Sequence, residues 1–202
     1  MPNISKINGF RPVKHLSGSP WMGNANIYYV SSAGADMGVG DVVKLGSTSS
    51  ASGIQTVALA AAGDAVVGVV VGVINSKLDP VTGAMTSGSI SLDTPQYIAS
   101  GGSGFVLVCD DPTVVYEVET SNGTPLATDV GLNINHAVTA FSTTRGISQQ
   151  TIDFGTEAAT ATLTFKLLGF VQRPDNEIGA SAKMLVKINN HQFQGHTGTA
   201  GV

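Results

Sequence analysis

From Ile27 onward the chain is a succession of short runs of β-branched and aromatic residues, cut by clusters of Gly, Ser, Asn and Asp. An α-helix needs roughly 12 or more uninterrupted residues to persist without tertiary help, and no stretch here offers them. Residues 58–62 are rich in helix formers but end at Gly63, and residues 124–131 allow one turn, with Thr124 as cap and Pro125 at the first helical position. The spacing predicts strands at 26–30, 41–45, 55–59, 66–74, 96–99, 104–110, 114–120, 163–172 and 183–190, the pattern of sandwiches and barrels. The fold class is therefore all-β: a single β-barrel or a jelly-roll-like sandwich.

Some of these runs carry information about their faces. Val115-Tyr-Glu-Val-Glu119 and Met184-Leu-Val-Lys-Ile188 alternate in part, so one face of each meets water. The run Ala65-Val-Val-Gly-Val-Val-Val-Gly-Val-Ile74 does not alternate, which places it under cover on both faces or against another subunit. Its Gly68 and Gly72 mark bulges or close backbone approach. Asn122-Gly123 reads as a type I′ hairpin turn, and residues 79–91 as a long surface loop, either an interaction loop or a floppy hairpin tip.

Either side of a core at residues 26–192 the composition changes. Residues 1–25 hold Lys6, Arg11, Lys14 and His15, no acidic residue, and Pro2, Pro12 and Pro20. Proline holds itself and its predecessor extended, so this segment reads as an extended basic arm with Phe10 and Trp21 as apolar anchors. It either wraps its own barrel or reaches a partner. Residues 193–202 lack charge and form a polar tail that needs a neighbour to order it.

Composition narrows the function classes. Charged residues make up 12% of the 202, against 42% hydrophobic, which excludes a disordered chain. So little charge points to surface covered by partners, in a homo-oligomer or on another protein. A net charge of −4 argues against sequence-independent binding of nucleic acid. The longest apolar run falls short of the ~20 residues of a transmembrane helix, and the N-terminus shows no signal-peptide pattern, so cytoplasmic synthesis is expected. Cys109 lies inside an apolar run and reads as a small buried hydrophobe.

No motif assembles a catalytic or cofactor site. Asp110-Asp111-Pro112 is better explained as a strand-ending turn than as an acid/base pair, since neighbouring strand residues point to opposite faces. Ser100-Gly-Gly-Ser-Gly104 lacks the lysine of a phosphate loop. His191 and His196 have only weak ligands nearby and point to hydrogen bonding rather than zinc. The strongest polar cluster is Arg173-Pro-Asp-Asn-Glu-Ile178, a tight turn presenting Arg173, Asp175 and Glu177. An ion pair within the chain would explain it equally well.

Three segments carry a resemblance: Asn8-Gly-Phe-Arg-Pro-Val-Lys-His15, Phe170-Val-Gln-Arg-Pro-Asp-Asn-Glu-Ile-Gly179, and Met184-Leu-Val-Lys-Ile-Asn-Asn190. Together they resemble the auxiliary capsid proteins of tailed bacteriophages, also called decoration or cement proteins. The resemblance implies a structural virion protein on the capsid exterior, bound to the major capsid protein and self-associated, with a trimer favoured and a dimer possible. It implies no enzyme activity and no cofactor. On this reading the residues expected to bind partners are Phe10, Arg11, Lys14, His15 and Trp21 of the arm, with Arg173, Asp175 and Glu177 of the turn. Two other readings fit the composition: another phage part, such as a tail or fibre component, and a carbohydrate-binding β-sandwich. The second wants exposed aromatics, and this chain has one Trp.

Overall fold

The computed structural model describes residues 3–74, 96–194 and 198–201, and the expected loop at 79–91 lies outside them. Thirteen strands are formed among the described residues, with two single-turn 3-10 helices at Ala127–Asp129 and Gln192–Gln194.

Five strands close a barrel in the order β2 (Asn26–Val30), β5 (Gln55–Leu59), β4 (Val42–Ser49), β6 (Gly68–Ile74) and β8 (Gly104–Cys109). The short β3 (Met37–Gly38) and β7 (Tyr97–Ile98) pair beside it. Downstream, β9 (Val114–Ser121), β11 (Thr151–Ala158), β10 (Asn133–Ala137), β12 (Phe165–Phe170) and β13 (Lys183–Ile188) pair in that order. A further β13–β9 pairing completes the circuit, and β1 (Arg11–His15) lies along β9 as well.

The two circuits have the same connectivity. In each, the first strand pairs parallel with the third, as β2 with β5 and β9 with β11. The second then pairs antiparallel with the third and fourth, the fourth with the fifth, and the fifth with the first. Corresponding bulges fall between Val70 and Gly72 on β6, and between Leu167 and Gly169 on β12. A single barrel or jelly-roll was expected. The all-β class holds, and the chain carries one closed barrel followed by a second circuit of matching topology.

One shared wall explains the run that refuses to alternate. Val43, Val67 and Val70 belong to the barrel core, whereas Val42, Val66 and Val69 belong to the core of the second circuit. All six are fully buried. The run is thus covered on both faces at its start, and the cover is the chain itself rather than another subunit. Gly68 stands where a Cβ would collide with the Cys109 carbonyl, and Gly72 follows the bulge. Cys109 is buried in the same wall as a free thiol, and its carbonyl accepts a 3.0 Å bond from the Tyr116 hydroxyl.

Several local expectations change. Of the two readings of the arm the structure shows it against its own chain, where residues 11–15 pair with β9 and the chain then folds back at Pro20 onto Lys14. Asn122-Gly123 makes no type I′ hairpin: Asn122 has φ 54° but Gly123 is not in the positive region, and β9 runs parallel to β11 rather than joining a hairpin partner. The tail is held by its own body. Asn189 Oδ1 accepts from the Thr199 amide at 2.9 Å, and Gly201 donates to the Ala159 carbonyl at 2.9 Å. Strands β10 and β11 were not expected, because β10 turns His136 inward and buries Asn133, both outside a hydrophobic pattern.

Candidate functional site

The two ends that carry the resemblance meet on β9. Along its outer edges, β1 pairs Arg11 opposite Glu117, and β13 pairs Lys183 opposite Glu119. Residues 3–6 cross close by: Ser5 Oγ donates to Glu119 Oε1 at 2.6 Å, and the Lys6 amide to Glu119 Oε2 at 2.8 Å. Lys183 Nζ completes the set at 3.0 Å from Oε2. Glu119 is only 4% exposed. A buried carboxylate survives in that position because a cation and two further donors replace its water. Lys6, Asn8, Arg11, Glu117, Glu119 and Lys183 line a shallow cleft at this crossing.

The turn after β12 closes onto the same strand. Arg173 grips Glu117 in a two-pronged bond, Nη2 to Oε1 at 2.9 Å and Nη1 to Oε2 at 3.2 Å, while its Nε lies 3.3 Å from Asp175 Oδ1. Those carboxylates push the guanidinium above its already high range, the hydrogen bond to Glu117 foremost. Asn176 pins the turn to both strand ends through Val171 and Lys183. Asn3 ties the N-terminus to it through the Glu177 amide at 2.8 Å and the Glu177 and Ala180 carbonyls.

The structure sorts the eight expected residues into three groups. Arg11, Arg173, Asp175 and Glu177 gather around β9 and its neighbours, with Lys14 one row further along. His15 lies at the far end of β1, where Nδ1 sits 3.3 Å from Asp111 Oδ2 and 3.2 Å from Thr113 Oγ1. The third group is the aromatic pair expected to be buried by partners, and for Phe10 that expectation is corrected. Phe10 is 1% exposed inside its own chain, stacked 4.6 Å from Phe165 and edge-on to His136. Trp21 packs partly against the same core, with Nε1 donating to the Asn24 carbonyl at 3.2 Å. Phe10 thus fills the second core beside the buried Ile134 and His136 of β10, whereas Trp21 stays partly exposed.

Glu117 and Glu119 were read in the sequence only as the polar half of an alternating strand. Their spacing of two on one strand face was the signal, and cations arriving from residues 173 and 183 gave it meaning. The remaining candidates are structural. Asp110 accepts from Asn26 Nδ2 and, at 2.6 Å, from the Tyr28 hydroxyl, which together with burial raises the phenol's pKa. His191 is fully buried, its Nδ1 accepting from the Phe193 amide at 3.1 Å, and burial lowers its pKa. His196 lies outside the described residues. Among the described residues, no group of three or more His, Cys, Asp or Glu side chains is arranged to hold a metal ion. No helix among them is long and apolar enough to cross a membrane.

No family model matches this chain, and no curated protein or solved structure matches it.

Proposed function

We propose that this protein is a non-catalytic decoration protein, which binds the outside of an assembled tailed-phage head and bridges neighbouring subunits of the major capsid protein. The observation that supports this reading is the convergence on β9. The segments 8–15, 170–179 and 184–190, which carry the resemblance, are separated by about the length of the chain and still build one continuous surface. The polar groups there are tied together by ion pairs and backbone bonds on a strand framework, and the Ser5 hydroxyl donates to a Glu119 carboxylate that Lys183 also holds.

The work in this reading is mechanical. A protein that binds only the assembled, expanded shell stabilises that state by linkage, as any ligand does. A barrel and a second circuit fused through one buried wall make a stiff body, so force on one contact is transmitted to another rather than lost in hinge motion. Self-association into a trimer, with a dimer as the alternative, would multiply those contacts.

The test is cryo-microscopy of virions of the phage that carries the gene, together with add-back of purified protein to heads stripped of it. Density for a body of one barrel and a second strand circuit on the head exterior, and a higher temperature of genome release after add-back, are the expected results. Density on the tail or fibres would favour the other virion reading. Absence from virions would end both.

A further inference from the structure

The strand registers place three lysines in one row across four strands. Lys14 on β1 lies opposite Val115 on β9, Val115 opposite Lys187 on β13, and Lys187 opposite Lys166 on β12. Directly opposed residues share a face, and like charges in that relation cost stability. A chain with only ten lysines and arginines nevertheless sets Lys187 against Lys166 and adds Lys14 to the row.

Nothing among the described residues neutralises that row. Lys166 Nζ donates to the Ala200 carbonyl at 2.7 Å, which satisfies a proton without cancelling the charge. The four strands themselves carry just two acidic residues, and both are engaged, Glu117 by Arg173 and Glu119 by Lys183. Asp111, at the turn before β9, is held by His15 and Thr113. The face also contrasts with the rest of the sequence. Beyond this row and the Lys6, Arg11, Arg173 and Lys183 cluster, only Lys44, Lys77 and Arg145 remain, in a chain with fourteen acidic residues. A molecule charged in that lopsided way approaches a negative surface with one face forward.

We propose that the outer face of β1, β9, β13 and β12 is the docking surface, with the Lys14, Lys187 and Lys166 row as its contact line and a carboxylate-rich patch of the shell protein as its partner. For the identity of the partner, this inference rests on the capsid reading above. A docked carboxylate row relieves the repulsion between Lys187 and Lys166, so binding recovers what folding left uncompensated.

The experiment compares wild type with Lys14→Glu/Lys187→Glu and with the charge-retaining Lys14→Arg/Lys187→Arg, all confirmed folded by thermal melting. On expanded heads, the glutamate variant is expected to associate roughly tenfold or more slowly at low salt. The gap should close toward about 0.5 M salt as the charges are screened, and the arginine variant should bind as wild type does. If wild type decorates heads and the glutamate variant matches it in rate and salt dependence, the docking face is wrong while the capsid reading stands. If wild type fails to bind heads at all, the capsid reading fails, and immobilised polyglutamate then judges the face. Capture of wild type but not of the glutamate variant supports a carboxylate-binding face. No capture, or tighter binding to duplex DNA, overturns it.

Discussion

The two circuits share a connectivity and solve closure in different ways. The first barrel is lined by short branched side chains, among them Val30, Val43, Val57, Val67, Val70, Val106 and Val108. Valine suits such strands, since its branched side chain packs against its neighbours on the pleated surface. The second circuit is filled by Phe10, Tyr116, Phe165, Met184 and several isoleucines, and it also buries His136, Asn133 and Gln150. Phe10 is borrowed from outside the ten strands of the two circuits. The lesson is that one pairing scheme tolerates either a uniform aliphatic filling or a mixed one, even with Asn133 Oδ1 and His136 Nδ1 buried without a hydrogen-bond partner. Gln150 accepts from the Val42 amide at 3.0 Å, and Asn133 donates to the Thr160 and Thr199 carbonyls. Only the second circuit also carries the charged outer face.

Replacing the aromatic filling tests that contrast hardest. Phe165→Ala removes a fully buried ring that stacks on Phe10, and should cost about 4 kcal/mol. Since the valines of β4 and β6 serve both cores, calorimetry should show one transition moving as a whole. Two separated transitions would mean that the circuits are independent bodies.

The second-largest effect is expected at the crossing of the N-terminus. Lys183→Ala leaves Glu119 buried with only Ser5 and the Lys6 amide, at a cost of about 2–3 kcal/mol. The double variant Lys183→Ala/Glu119→Gln should recover part of this in urea unfolding. No recovery would place the loss in packing rather than in charge.

Acid should act on the two circuits in opposite directions. In the second, burial lowers the pKa of His136 and His191. Below about pH 6.5, the usual value for an unfolded histidine, the unfolded chain takes up protons that the native one refuses, and stability falls. Asp41, beside the first barrel, is raised by burial to about 6, against hydrogen bonds from Ser148 and the Gly38 amide that lower it. Between that value and the ordinary carboxylate range the native state binds the extra proton, so acid favours folding there. Melting curves from pH 7 to 5 should fall for wild type, flatten for His136→Phe and steepen for Asp41→Asn. An unchanged slope in Asp41→Asn would remove that residue from the balance.

The smallest effect belongs to the turn. Arg173 is 40% exposed at its side chain, and Arg173→Ala should cost no more than about 1 kcal/mol, shrinking with salt. A larger, salt-independent loss would make the turn part of the second core.

Much of this architecture was legible along the chain. Residues 26–30 and 55–59 coincide with β2 and β5, and most other strand cores lie within their expected spans. Four strands were not expected, β1, β3, β10 and β11, and the last two have buried positions that include Asn133, His136 and Thr151. Periodicity detects apolar residues, whereas polar ones are buried only when distant groups arrive to bond them. The same limit hid the candidate site. Arg173 was visible as a charge, but Glu117 became its partner only when the turn after β12 reached β9, where β1 also sets Arg11 opposite Glu117.

The sequence alone determined the local terms: an all-β chain, the break points at glycine and asparagine, the extended N-terminus, and a valine run needing cover on both faces. Each follows from the conformational freedom or hydrophobicity of residues adjacent in the chain. Tertiary structure decided what covers that run, where Phe10 goes, and which cations remain unpaired. Those outcomes depend on contacts between residues far apart in the chain, and no local preference specifies the registers that bring them together. The duplicated connectivity shows this most plainly, because Val42-Val-Lys-Leu-Gly-Ser-Thr-Ser49 and Asn133-Ile-Asn-His-Ala137 occupy the same place in two circuits while sharing almost no pattern.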